Sequence, residues 1–209
     1  PFHQWAPDVY TGAPTPVVTF MSVVIKVGAF AALLRVVSII FPQLAPWLIT
    51  ALAVIVAATL IIGNLSALMQ RGVKRILAYS AVAHAGYLGL ALLAPDHGGL
   101  PAAAFYLTAY ALMNAGAFAV LSLMTDANDR GDDLDRFAGL GRKRPWLAAT
   151  LTFFLLSLGG IPPLAGFAGK ILVFQAVLEA GWYWLAVLGI LTSVVALVYY
   201  FRIVAYMYF

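Results

Sequence analysis

Twenty-six residues from Pro16 to Phe41, PVVTFMSVVIKVGAFAALLRVVSIIF, carry only two charges, Lys26 and Arg35. A helix of that length rises about 39 Å at 1.5 Å per residue, enough to cross a hydrocarbon core about 30 Å thick. Nothing in a water-soluble domain would cover such a segment on every side, and the rest of the chain repeats the pattern. Hydrophobic residues make up 64% of the sequence, charged residues 10%, and the mean hydropathy is +0.97, so too few polar groups exist to coat a soluble globule. The fold expected is an all-α integral membrane protein of about six transmembrane helices.

Counting apolar runs against the bilayer places those helices at about 16–41, 46–70, 72–94, 101–124, 146–178 and 182–209, after a polar segment at 1–15. Short connections bearing Pro and Gly, such as FPQLAP and PDHGGLP, separate most of them. The chain starts at Pro1 with no initiator Met and no basic leader, and reads as an internal fragment of a longer protein.

The net charge of +4 could suggest nucleic acid, but the basic residues alternate between loops instead of forming a patch. One set of connections holds Arg71, Lys74, Arg75, Arg130, Arg136, Arg142, Lys143 and Arg144. The other set, near 42–46, 95–99 and 179–181, holds no Lys or Arg, with Arg35 near its rim. Excess Lys and Arg mark the cytoplasmic side, which predicts the basic loops and the C-terminus there, most simply in a bacterial inner membrane.

The segment at 146–178 is too long for one crossing, and the string Gly159-Gly160-Ile161-Pro162-Pro163 predicts a break inside it. Glycine loosens a helix, and proline removes a backbone donor and clashes with the preceding turn. Broken backbone at membrane depth survives where protein or water covers it, so Gly159, Gly160, Pro162 and Pro163 point to a lined cavity.

Lys170 lies about two turns past this break, and Lys26 lies deep in its own span. A charged amine at such depth is costly and marks a functional position unless its long stem carries it to an interface. Such an amine can exchange a proton when its surroundings change. His84, in SAVAHAGY, falls near the middle of the third span, where an imidazole suits a relay and also suits a hydrogen-bonded structural role. Lys74, beside Arg71 and Arg75, is either a topogenic surface residue or the mouth of an uptake path. Tyr87, with Asn64, Thr108, Tyr110 and Asn114, could join titratable groups through water or serve as a helix-packing contact.

No phosphate loop, HExxH, paired catalytic carboxylates or nucleophile elbow occurs. The absence of cysteine excludes disulfides and thiolate-held iron–sulfur clusters on this chain. Asp126, Asp129, Asp132, Asp133 and Asp135 cluster in one loop, but without an EF-hand glycine and terminal Glu they read as a solvated loop or a contact surface and no metal site is expected.

Four ordered strings, PFHQWAPDVYTGAPTPVVTF, IKVGAFAALLR, NLSALMQRGVKRILAYSAVAHAGY and SLGGIPPLAGFAGKILVF, resemble the antiporter-like membrane subunits of respiratory complex I over nearly the whole chain. APDVY followed by GAPTP, with lysine in GFAGK, resembles the subunit N group most. The resemblance implies two inverted five-helix repeats, each with a broken helix. Here 16–41 would close the first repeat and 46–209 would form the second. It implies that Lys26 is the central lysine, that Lys170 is the terminal lysine on the second broken helix, and that His84 and Lys74 lie on the same polar axis. The glutamate and lysine of the first repeat would lie upstream of Pro1.

The expected function is proton translocation through buried Lys, His and water relays as one subunit of a proton-pumping NADH:quinone oxidoreductase. No cofactor is expected on this chain; NADH, FMN, iron–sulfur clusters and quinone would belong to the wider complex. The expected partners are neighbouring membrane-arm subunits and the bilayer, not nucleic acid. The alternatives are a subunit of a multi-subunit cation/proton antiporter or membrane-bound hydrogenase, and a structural scaffold without its own proton path.

Overall fold

The computed structural model describes residues 2, 3, 5–125 and 133–209. Asp126, Asp129, Arg130 and Asp132 of the acidic loop lie outside the described residues.

Among the described residues the chain is helical without a named strand. Short α1 (Ala6–Gly12) precedes a continuous crossing formed by α2 (Thr15–Phe20), a π-helical turn (Met21–Ile25) and α3 (Lys26–Ile40). Then come α4 (Pro46–Leu68), α5 (Val73–Leu92), α6 (Gly99–Ser122), α7 (Leu140–Lys143), α8 (Pro145–Gly159), α9 (Ala165–Glu179) and α10 (Tyr183–Tyr208). Among the described residues four stretches are long and apolar enough to cross a membrane: Thr15–Gln43, Pro46–Leu68, Gly99–Ser122 and Tyr183–Tyr208.

α5 is the interior helix. Of its residues, only Arg75 and Tyr79 escape full burial, because α1, α4, α6, α9 and α10 pack around it. That explains its composition. With no lipid-facing side it tolerates Lys74, Ser80 and His84, and its Ala and Gly residues let neighbouring backbones approach closely. α3 is its opposite: no residue in it is buried.

The two loop sets gather at opposite ends. At one end Leu134 N donates to Arg71 O, Gly139 N donates to Tyr206 O, and the Arg202 guanidinium donates to the carbonyls of Leu68 (2.9 Å) and Gln70 (2.5 Å). At the other, Phe41, Ile49, Leu93, Pro95, His97 and Trp182 line one hollow. Charge alternation along the sequence therefore corresponds to a spatial separation of the basic loops from the uncharged ones.

The fifth span is two helices of 15 residues each, with residues 160–164 between them. Gly160 adopts φ +86°, a left-handed conformation open to glycine. Its N–H returns to Ser157 O, and Ile161 N–H returns to Leu156 O, which closes α8 as a Schellman motif. Pro162–Pro163 is a cis peptide. The partner helix starts close by, since a Cβ at Gly166 would stand 1.8 Å from Ser157 O.

Candidate functional site

The Schellman motif satisfies the carbonyls of Leu156 and Ser157 but leaves that of Gly159, at the negative end of α8, without a backbone donor. The Lys170 amine fills the role, donating to Gly159 O at 2.8 Å and to Ser193 Oγ at 2.8 Å. It also stands 5.0 Å from the centre of the Tyr87 ring, within cation–π range, and the residue is only 4% exposed. Lys170 thus turns inward and ties α9 to α8 and α10.

Within this chain Lys26 is half-buried, on a helix none of whose residues is buried. It sits slightly to the Arg71 side of the middle of Thr15–Gln43. Its amine nevertheless reaches into the bundle, donating to Ala81 O at 2.5 Å and Tyr110 Oη at 3.2 Å, with the Tyr110 ring centre 4.8 Å away. Both amines thus bond groups on other helices inside the bundle.

His84 stands between the two lysines. Nδ1 lies 2.7 Å from Tyr106 Oη, Nε2 lies 3.3 Å from Tyr200 Oη, and the ring centre is 5.0 Å from that of Tyr110. Beyond it, the Tyr200 and Tyr199 rings lie 4.6 Å apart between centres and tilted by 57°, and Tyr199 donates to Asn64 Oδ1 at 3.2 Å. Tyr87 lies 6.3 Å from Tyr106 between ring centres and 3.4 Å from Thr192 by hydroxyl oxygens. Hydrogen bonds at Lys26–Tyr110 and His84–Tyr106, with ring contacts between them, set buried polar side chains in a line from Lys26 through Tyr110, His84 and Tyr106 to Tyr87 and Lys170. Each phenol can both donate and accept a hydrogen bond, so a proton can enter such a group on one side while another leaves.

Lys74 is 1% exposed, so the surface reading suggested by its basic neighbours fails. Its amine donates to Ala13 O at 3.1 Å, while Arg75 pairs with Asp8 at 3.1 Å and holds α1 over α5. Thr108 is exposed and bonded to Ala104 O of its own helix, away from this line. Asn64, Tyr87, Tyr110 and Asn114 are all buried.

Reading by sequence passed over Tyr106, Tyr199, Tyr200, Ser193 and Ser22. An apolar span with a tyrosine every few residues carries no local sign of which hydroxyls converge. The amino-terminal segment was passed over too: His3, Tyr10, Met21, Ile25, Lys26 and Ala81 line a cavity of about 260 Å³. Burial, then the Lys26 ammonium, holds the His3 imidazole below its ordinary range.

Among the described residues no group of His, Cys, Asp and Glu could hold a metal, and the chain has no thiolate to offer a cluster.

The family described as NADH:quinone oxidoreductase/Mrp antiporter, TM, matches residues 1–196. NADH-quinone oxidoreductase subunit N of Trichlorobacter lovleyi is 45% identical over 212 residues, covering 100% of this chain and 43% of that protein. The chain therefore spans less than half the length of this curated relative. Among solved structures, respiratory complex I from Thermus thermophilus with bound aureothin contains a chain that is 46% identical, with a TM-score of 0.86 over 100% of this chain and 45% of that one. A chain of the membrane-bound sulfane sulfur reductase, an archaeal respiratory membrane complex, is 30% identical with a TM-score of 0.92, over 100% of this chain and 43% of its own length.

Proposed function

The chain belongs to the NADH:quinone oxidoreductase/Mrp antiporter transmembrane family, and on that premise we propose that it carries protons through the line from Lys26 to Lys170 as part of a subunit N in a proton-pumping NADH:quinone oxidoreductase. The observation that carries this reading is the inward turn of both amines toward the cluster of buried tyrosines around His84, Lys26 onto Tyr110 and Lys170 over the ring of Tyr87. A polar line of this kind is expensive inside a bilayer, and a scaffold whose lysines only reached for headgroups would have no use for it.

In this reading a charge change arriving along the membrane arm alters the proton affinity of Lys26. Its proton passes by Tyr110 and His84 to the tyrosines around Lys170 and leaves on the side opposite the basic loops. An opposing membrane potential of 100 mV costs about 2.3 kcal/mol per charge, a size that one neighbouring charge in a poorly screened site can supply. The basic loops would face the cytoplasm of a bacterial cell, and 46–209 would be the second inverted repeat. We place NADH, FMN, iron–sulfur and quinone chemistry in other subunits of the complex.

The test is Lys26→Ala and Lys170→Ala in the full subunit within the assembled complex. Protons moved per quinone reduced should fall in both, and wild-type ratios in both would end the proposal. The family name and the sulfane sulfur reductase chain also favour a second reading, a subunit of a cation/proton antiporter or related respiratory complex. Sodium-dependent proton exchange without any electron donor would select it.

A further inference from the structure

Two pairs of residues face each other across the start of the lysine-bearing crossing. On one helix Ser22 and Lys26 are four residues apart, and on α6 Tyr110 and Asn114 are four apart, so each pair shares a helix face. The rungs between them are the Lys26 amine on Tyr110 Oη at 3.2 Å and the Asn114 side-chain amide on Ser22 Oγ at 2.8 Å. Lys26 and Tyr110 belong to the relay already described. Ser22 and Asn114, both fully buried, do not.

The direction of the second rung is determined by its neighbours. Ser22 Oγ spends its hydrogen on Thr19 O at 3.1 Å, so toward Asn114 it can only accept. Asn114 must therefore present its NH2 group to Ser22, which turns Oδ1 the other way. That oxygen is buried and has no hydrogen-bond partner among the described residues. Buried acceptors without a donor are rare, and each one calls for a donor such as an ordered water.

A donor stands one turn away. An ammonium has three N–H groups, and that of Lys26 uses two of them, on Ala81 O and Tyr110 Oη. One turn of α6 is about 6 Å, roughly the span that a single water covers when it hydrogen-bonds at both sides. The cavity that reaches Lys26 passes Met21 and Ile25, the ends of the π-helical turn that contains Ser22. Turns of this type within α-helices occur frequently at functional sites. Toward the Arg71 end the polar face continues through Thr19 and the buried Thr15, next to Ala13, whose carbonyl takes the Lys74 amine.

We propose that Asn114 is a positioning residue for Lys26, its Oδ1 holding a water through which the amine takes up its proton from the Arg71 end. This rests on the proton-relay reading above. Ser22 orients the Asn114 amide, and Tyr110 takes the proton onward.

The test uses the full subunit in the assembled complex in sealed vesicles, driven by NADH and quinone, with proton translocation normalised to the complex assembled. Asn114→Leu keeps the shape of the side chain without the acceptor. It should lower the translocation assigned to this subunit about tenfold, the size of one hydrogen bond to a charged group. Asn114→Asp keeps an oxygen for the water but loses the hydrogen that Asn114 gives Ser22, and should recover only part of the loss. Ser22→Ala should give a smaller loss, about threefold, by freeing the amide. In Lys26→Ala, adding Asn114→Leu should cause no further loss, because Asn114 acts only through Lys26. Wild-type translocation in Asn114→Leu and Ser22→Ala, or a further loss in the double variant, overturns the inference while leaving the relay in place if Lys26→Ala alone is impaired. Normal translocation in Lys26→Ala overturns both.

Discussion

The Lys170 amine lies 2.8 Å from the carbonyl oxygen of Gly159, the last residue of the helix that the break cuts short. The break and the lysine are thus one feature: the interrupted helix exposes a carbonyl at its negative end, and the second half-helix returns a cation to it.

Gly160 is the position where the backbone and the lysine meet. Its φ of +86° disfavours a side chain, and a Cβ would come 2.9 Å from Lys170 Cδ. Gly160→Ala should cost about 1–2 kcal/mol from the left-handed backbone alone and displace the amine. Gly166→Ala should be worse, because its Cβ would meet the backbone oxygen of Ser157 at 1.8 Å, and backbone has less freedom to move than the end of a lysine. Thermal melting of the purified complex and the yield of assembled subunit measure both, and equal yields for the two variants would contradict the ranking.

Tyr106→Phe removes one hydroxyl and leaves Nδ1 of His84 without its 2.7 Å partner in a buried site. The expected destabilisation is about 1–3 kcal/mol, with slower proton transfer. Tyr183→Phe, at an exposed phenol, should change neither. Parallel melting and proton-translocation assays separate the two outcomes.

Arg202 closes the end of α4 with two bonds from one planar guanidinium, to Leu68 O and Gln70 O. Arg202→Leu should leave both carbonyls short of a donor and lower stability by about 1–3 kcal/mol for each that water does not reach. Lysine is a point donor without the fork, so Arg202→Lys should recover only part of the loss. Recovery to the wild-type melting temperature by lysine would show that charge alone is needed.

The chain has no cysteine, so single cysteines introduced into it report on it alone. His97→Cys and Lys143→Cys stand at opposite ends of the bundle and should react with a membrane-impermeant thiol reagent from opposite sides of a sealed vesicle. Labelling of both from one side would contradict the topology.

Much of the architecture was legible in the sequence because the bilayer imposes a local rule. Six apolar segments, the break after Gly159 and the alternation of basic loops each depend on residues close together in the chain, so hydropathy, Pro and Gly reveal them directly. The lysines were legible for the same reason, since a charge in an apolar run is anomalous wherever it points. Boundaries were less so: the crossing that bears Lys26 contains a π-helical turn for which the sequence offered no sign.

By itself the sequence determined that this is a membrane bundle with two lysines at depth and one broken helix, since transfer free energy and backbone hydrogen bonding act residue by residue. Tertiary structure alone decided where those amines point and what they meet. His84 and Tyr200 lie 116 positions apart, and Asn114 and Ser22 lie 92 apart. Such pairs leave no mark in local hydropathy, because a tyrosine facing lipid and a tyrosine facing an imidazole read alike until the helices pack. The burial of Lys74, which its basic neighbours disguised as a surface residue, was decided in the same way, by α5 ending in the interior.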